Sequence, residues 1–73
     1  MPKLGVFSGA EVCRILEASD FSLVRQRGSH VVMQRTLGTT TITVPVPLHA
    51  ELRMGTLRSI IRQSGLPRSL FER

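Results

Sequence analysis

One stretch of the chain combines a group that exchanges protons with groups that bind phosphate. His30 follows the run Arg25-Gln26-Arg27-Gly28-Ser29, and Arg35 comes shortly after it. An imidazole titrates near neutral pH, and guanidinium groups make paired hydrogen bonds to phosphate oxygens. RNA carries its own nucleophile, the 2′-hydroxyl, so its cleavage requires a base, an acid and positive charge on the transition state. The stretch predicts His30 as a general acid or base acting on RNA, with Arg25, Arg27 and Arg35 binding its phosphates.

The overall charge favours a polyanionic partner. The 73 residues carry ten Lys+Arg against five Asp+Glu, a net charge of +5, and nine of the ten basic residues are arginine. This bias favours nucleic acid first and an acidic protein second, although an inert basic surface has the same composition. The chain has no Trp or Tyr, and its three Phe residues are expected in the core. Base-stacking platforms are therefore not predicted, and sequence selectivity should be weak.

Other chemistries find little support in the residues. His30 and His49 are nineteen positions apart, and the five carboxylates have no metal-ligand spacing. Asp20 is the only aspartate and has no marked serine partner for a Ser-His-Asp triad. Cys13 is the single cysteine, so it forms no internal disulfide and is expected to be buried in a helix. We predict no metal and no cofactor.

The sequence also carries no targeting or membrane signal. Its N-terminal residues lack the apolar core of a signal peptide, and no apolar run reaches membrane-spanning length. We therefore expect one soluble cytoplasmic domain over residues 1–73 with no membrane partner. A chain of this length buries only about 60% of its unfolded surface, so its stability should be modest.

Two amphipathic helices are predicted. Ser8 and Glu11 have the spacing of a capping box, which places helix 1 at about residues 9–19. Helix 2 is predicted over 54–64, ending at Gly65. It has an apolar stripe of Leu57, Ile60 and Ile61. Its exposed side carries Arg58 and Arg62, which we expect to bind RNA.

Beyond helix 2, Leu66, Leu70 and Phe71 are predicted to fold back onto the core.

Three strands are predicted between the helices. Phe21 to Gln26 forms the first, with Phe21 and Leu23 buried, and a turn at Arg27–Gly28 leads into the second at 29–35. Alternation places Val31 and Met33 inward and His30 outward. After a turn at 37–39, the third strand covers 40–44.

A stiff connection is expected to follow the third strand. Pro45 and Pro47 lack amide hydrogens and should stop the strand ladder. Within the connection, Pro47 and His49 are expected to be structural, His49 through a hydrogen bond that fixes the connection.

The order of elements predicts an α+β fold. Both helices need to cover the same side of a three-stranded antiparallel sheet, which gives a two-layer α-β-β-β-α domain. The other sheet face is left open and carries His30.

Three blocks of the sequence resemble a known family. Arg-Gln-Arg-Gly-Ser-His at 25–30, Val-Pro-Val-Pro-Leu-His at 44–49 and Gly-Thr-Leu-Arg-Ser-Ile-Ile-Arg-Gln-Ser-Gly-Leu at 55–66 are similar, in order and separation, to the signature blocks of the HicA toxins, also called YcfA-like proteins. The resemblance implies a fold like a double-stranded-RNA-binding domain. It also implies a metal-independent mRNA interferase held inactive by a HicB-type antitoxin protein.

The resemblance further implies roles for particular residues. His30 matches the catalytic histidine of the family, and Gly28 and Ser29 match its supporting turn. His49 matches a recurrent position to which we assign no catalytic role. With one histidine at the centre, the second proton-transfer group stays open between water and Ser29.

Two other interpretations fit the same residues. A non-catalytic RNA-binding module would use the same charge and fold, and His30 would then be an exposed or structural imidazole. A protein-interaction domain for an acidic partner would have no RNA affinity at all. Incubation of the free chain with labelled RNA in the presence of EDTA separates the three.

Overall fold

The computed structural model describes residues 3–73, and Met1 and Pro2 lie outside the described residues. Within these described residues the chain forms two α-helices, three strands and a short 3₁₀ helix. In order they are α1 (Gly9–Ala18), β1 (Ser22–Arg27), β2 (His30–Leu37), β3 (Thr40–Pro47), α2 (Met54–Ser64) and the 3₁₀ helix Arg68–Phe71. The strands form an antiparallel sheet in the order β1-β2-β3. The predicted α+β arrangement is confirmed, and α1 ends one residue earlier than predicted.

Local capping chemistry sets the start of α1 and the end of α2. At the start of α1 the Glu11 amide donates to Ser8 Oγ over 3.0 Å, while Glu11 Oε1 accepts from the Ser8 amide over 2.9 Å. α2 ends at Gly65, whose φ of 71° is left-handed and is adopted by glycine at little steric cost. Ser64 completes this end, since its buried hydroxyl donates to the Ile61 carbonyl and accepts from the Leu66 amide. No helix within residues 3–73 is both long enough and apolar enough to cross a membrane.

The core lies between one face of the sheet and the two helices. The buried strand residues are Val31, Met33, Val44 and Val46, all at most 1% exposed. They pack with Val12 and Leu16 of α1, Leu57 and Ile60 of α2, and the aromatic rings of Phe7, Phe21 and Phe71. The other face, which we call the open face, is covered by no helix of residues 3–73. Its described side chains include those of Val32, Gln34 and Thr43 near its centre.

The prediction that Pro45 and Pro47 stop the ladder is wrong. β3 continues through both prolines, with Pro45 opposite Val32 and Pro47 opposite His30. β3 is an edge strand, so only one of its two sides pairs with a neighbouring strand. Residues two apart in a strand, such as Pro45 and Pro47, direct their amide nitrogens to the same side. A proline pair is therefore tolerated where that side faces away from the sheet. Val46, between the prolines, consequently belongs to the core and not to a connection.

The prediction that Leu23 is buried is also wrong. Leu23 is 52% exposed, and no residue of β1 is buried, because the helices cover the part of the sheet formed by β2 and β3. Pairing passes from Leu23–Met33 to Arg25–Val32, so Val24 is the extra residue of a β-bulge. Phe21 is buried as predicted, but it precedes the strand.

The C-terminal segment was predicted to fold back onto the core, and this is confirmed for Phe71. Phe71 is fully buried, and its ring meets the Phe7 ring edge-to-face with a centroid distance of 6.3 Å. Leu70 is 44% exposed, which corrects the prediction that it belongs to the same apolar cluster. Backbone bonds tie the segment to the N-terminal stretch, with the Gly5 amide donating to the Phe71 carbonyl over 2.8 Å.

Candidate active site

The hairpin between β1 and β2 presents the predicted catalytic histidine. The turn consists of Gly28 and Ser29, one residue later than predicted, because Gly28 takes the left-handed φ of 59° as the first turn residue. Arg27 and His30 are then the paired residues that flank the turn. Residues paired across an antiparallel ladder direct their side chains to the same face. The guanidinium of Arg27 and the imidazole of His30 therefore leave the sheet on the same side.

His30 lies on the open face and is exposed to solvent. Its neighbours along β2, Val31 and Met33, are buried on the opposite face. On the open face Gln34 Nε2 donates to Thr43 Oγ1 over 3.2 Å, which confirms the alternation along β2. The imidazole is thus available to a ligand approaching the uncovered side of the sheet.

A second imidazole lies beside the first. The ring centroids of His30 and His49 are 6.4 Å apart, with the ring planes at 73° to each other, and both residues are exposed. The extension of β3 through Pro47 produces this proximity, because it ends the strand opposite His30 and places His49 two residues further. The closeness of the two rings follows from the strand register. It could not be inferred from their separation of nineteen residues in the sequence.

The backbone of His49 is held from two sides. Its carbonyl accepts from the Gly9 amide over 2.9 Å at the start of α1, and the preceding Leu48 amide donates to the Ser29 carbonyl in the hairpin turn. Among residues 3–73 the His49 ring makes no hydrogen bond. The backbone of His49 therefore holds this connection in place.

Gly9 is the residue that permits this attachment. A Cβ at this position would overlap the Pro47 carbonyl oxygen and lie 2.8 Å from Leu48 Cα. Only a residue without a side chain allows α1 to start against the end of β3, and that contact locates His49.

The five arginines predicted to bind RNA do not form one cluster. Arg25 and Arg27 share the open face with His30, since they pair with Val32 and with His30 itself. Arg35 pairs with Ile42 and belongs to the helix-bearing face, further along β2. Arg58 and Arg62 lie on the exposed side of α2. Only the two β1 arginines therefore accompany His30.

The open face contains a shallow depression further along the β1–β2 ladder from His30. Its volume is about 410 Å³, and it is lined by Val24, Arg25, Val32, Gln34 and Thr43. Val24, the extra residue of the bulge, and Arg25 both line it. The depression is open and mixed in polarity, as suits a flexible polar chain lying across the sheet.

The described part of the chain offers no ligand cluster for a metal. Within residues 3–73 no three His, Cys, Asp or Glu side chains come together. Cys13 is buried in α1, and burial, with a smaller contribution from Glu17, raises the pKa of its thiol. What the site does assemble is two solvent-accessible imidazoles and the guanidinium groups of Arg25 and Arg27, which can exchange protons and bind phosphate.

Comparison with known proteins identifies a family for this chain. A family model described as the HicA toxin of bacterial toxin-antitoxin systems matches residues 9–66, which span both α-helices, the sheet, His30 and His49. No curated protein gave a significant match to the sequence.

Proposed function

The chain belongs to the HicA family, toxins of bacterial toxin-antitoxin systems, and we propose that it is an endoribonuclease that cuts mRNA with His30 as general acid or base. The observation that carries this proposal is the position of His30, exposed on the open face with Arg27 directly opposite it in the ladder. A general acid or base has to reach the proton it transfers, and His30 is unobstructed in this respect.

The substrate supplies the nucleophile. The 2′-hydroxyl of a ribose attacks the adjacent phosphorus, the bond to the 5′ oxygen breaks, and the products carry a 2′,3′-cyclic phosphate and a 5′-hydroxyl. Arg27, with Arg25 further along the strand, lies where a guanidinium can stabilise the added negative charge on the phosphate. Proton transfer and charge stabilisation both come from side chains, so we propose that cleavage is metal-independent.

A toxin of this family has an antitoxin partner, and we propose that this partner is a HicB-type protein. The net charge of +5 suits an acidic antitoxin surface. An inhibitor that covers the open face would exclude RNA from His30 and the β1 arginines together. Because the proposed substrate is mRNA, the proposed site of action is the cytoplasm.

Labelled RNA incubated with the purified free chain in EDTA tests the proposal. The parent should produce fragments with 2′,3′-cyclic phosphate ends, and an oligonucleotide with 2′-deoxyribose throughout should stay intact. His30→Ala should lose at least about 100-fold in rate, in line with the usual contribution of acid–base catalysis. Thr41→Ala is the matched control, since Thr41 is exposed on the same face near the far end of β3. It should cut at the parental rate.

Expression of the same variants without the antitoxin provides a cellular readout. The parent and Thr41→Ala should arrest growth, and His30→Ala should not. RNA that binds tightly but stays intact would establish a non-catalytic binding module instead. A chain without RNA affinity would establish a protein-interaction domain.

A further inference from the structure

We propose that His49 is the second proton-transfer group of the site, acting as the acid when His30 is the base, or as the base when His30 is the acid. This inference rests on the proposed ribonuclease function. It assigns a catalytic role to a residue whose contribution is otherwise limited to the backbone of a loop.

The distance between the rings suits a shared substrate. A catalytic imidazole has to come within about 3 Å of the oxygen it serves. The ring centroids of His30 and His49 are 6.4 Å apart, about twice that reach, so one phosphodiester between them is accessible to both rings. Cleavage requires protons to move at two oxygens of a single phosphodiester, the 2′ oxygen and the 5′ oxygen.

Within residues 3–73, the side chain of His49 makes no hydrogen bond that would explain its position as a structural one. Its ring is exposed and makes no hydrogen bond within residues 3–73, whereas its backbone carbonyl holds the Gly9 amide. Any residue could supply that carbonyl. The two backbone attachments, to α1 and to the hairpin turn, hold the Cα of His49 in place and leave the ring free.

The proton balance closes with two imidazoles. One neutral imidazole takes the 2′-hydroxyl proton as the 2′ oxygen bonds to phosphorus. The other, protonated, gives its proton to the 5′ oxygen as the phosphorus–oxygen bond breaks. Each ring ends in the protonation state that the other had at the start, and exchange with water resets both. No further reactant is needed.

Replacement of the leaving 5′ oxygen by sulfur tests whether His30 and His49 have complementary acid and base roles. A DNA oligonucleotide with a single ribonucleotide at a cleavage site mapped with the parent is prepared with either oxygen or sulfur at the bridging 5′ position. A thiolate leaves without protonation, because its conjugate acid is far stronger than an alcohol. A variant that lacks the general acid should therefore recover on the sulfur substrate, and one that lacks the general base should not.

On the oxygen substrate at saturating concentration, His49→Ala and His49→Gln should both lose at least about 100-fold in single-turnover rate. Their affinity for the all-deoxy analogue should stay within about threefold of the parent. On the sulfur substrate one of the two variants, His30→Ala or His49→Ala, should return to within about tenfold of the parent while the other stays at least about 100-fold slower. Glu51→Gln, an exposed change in the same loop, is the control and should keep the parental rate.

Each other result overturns the inference. His49 variants that cut at the parental rate, while His30→Ala is inactive, would exclude His49 and leave the proposed function standing. Recovery of both alanine variants on sulfur, or of neither, would exclude complementary roles. A parent chain that does not cut RNA would overturn the proposed function and this inference together.

Discussion

His30 and His49 meet edge-to-face at 6.4 Å, although they come from different elements and are nineteen residues apart in sequence. His30 opens β2, and His49 follows β3 at the same end of the sheet. The contact depends on the start of α1, because the Gly9 amide holds the His49 carbonyl. The packing of a helix terminus therefore controls the geometry of an exposed site.

Gly9→Ala should destabilise the fold and disturb the site. The added methyl group would overlap the Pro47 carbonyl, and such overpacking costs about 1–3 kcal/mol. Gly55→Ala is the matched control, since it also lies in the first turn of a helix but has open space around its Cβ. It should be neutral or stabilising by up to about 1 kcal/mol. Urea unfolding measures both, and equal stability of the two variants would contradict the tight contact.

Arg27→Gln should weaken RNA binding more than Arg62→Gln. Arg27 shares the open face with His30, whereas Arg62 is exposed on α2 in the layer across the sheet. Loss of one phosphate contact should lower the slope of log affinity against log salt by about 0.7–0.9. Titrations of an uncleavable RNA analogue at several salt concentrations measure this slope. A larger effect at Arg62 would place the RNA on the helices instead.

Glu11 should make stability depend on pH. Its hydrogen bond from the Ser8 amide and then that from Arg73, at 2.9 Å, hold the pKa of Glu11 below its ordinary value. Since the folded pKa is lowered, the carboxylate stabilises the fold above its unfolded pKa and stops doing so as pH falls through the folded pKa. Glu11→Gln should therefore be less stable than the parent near pH 7, and the difference should shrink as the pH falls through the lowered, folded-state pKa of Glu11.

Cys13 should react slowly with thiol reagents in the folded chain. It is 8% exposed, and burial raises the pKa of its thiol, so both access and the thiolate fraction are low. Because it is the only cysteine, an absorbance assay with a disulfide reagent reports this site alone. Reaction should become rapid in denaturant. Equal rates in the folded and unfolded chain would contradict the burial.

Phe71→Ala should destabilise the fold by about 3–5 kcal/mol, as for other buried aromatic truncations. Phe71 is fully buried against Phe7, although it lies beyond residues 9–66, where the family model matches. Leu70→Ala, one residue earlier and 44% exposed, should change stability by no more than about 0.5 kcal/mol. Thermal unfolding of both variants tests whether the C-terminal segment belongs to the core.

Several elements were predictable because neighbouring residues determine them. The capping box of Ser8 and Glu11 starts α1, and the left-handed Gly65 ends α2, so one bound of each helix follows from a few adjacent residues. The alternation around His30 also predicted its exposed side, since the pleat of a strand requires only local spacing. The sequence by itself thus determined the helices, the α+β class and one candidate imidazole.

Tertiary structure decided what depends on strand register and on coverage by helices. β3 accepts Pro45 and Pro47 because it is an edge strand, and β1 leaves Leu23 exposed because the helices cover the other two strands. Neither fact is encoded in the residue types themselves. The pairing of His30 with His49 arises in the same way, because packing of α1 against the end of β3 fixes a distance that sequence separation does not contain.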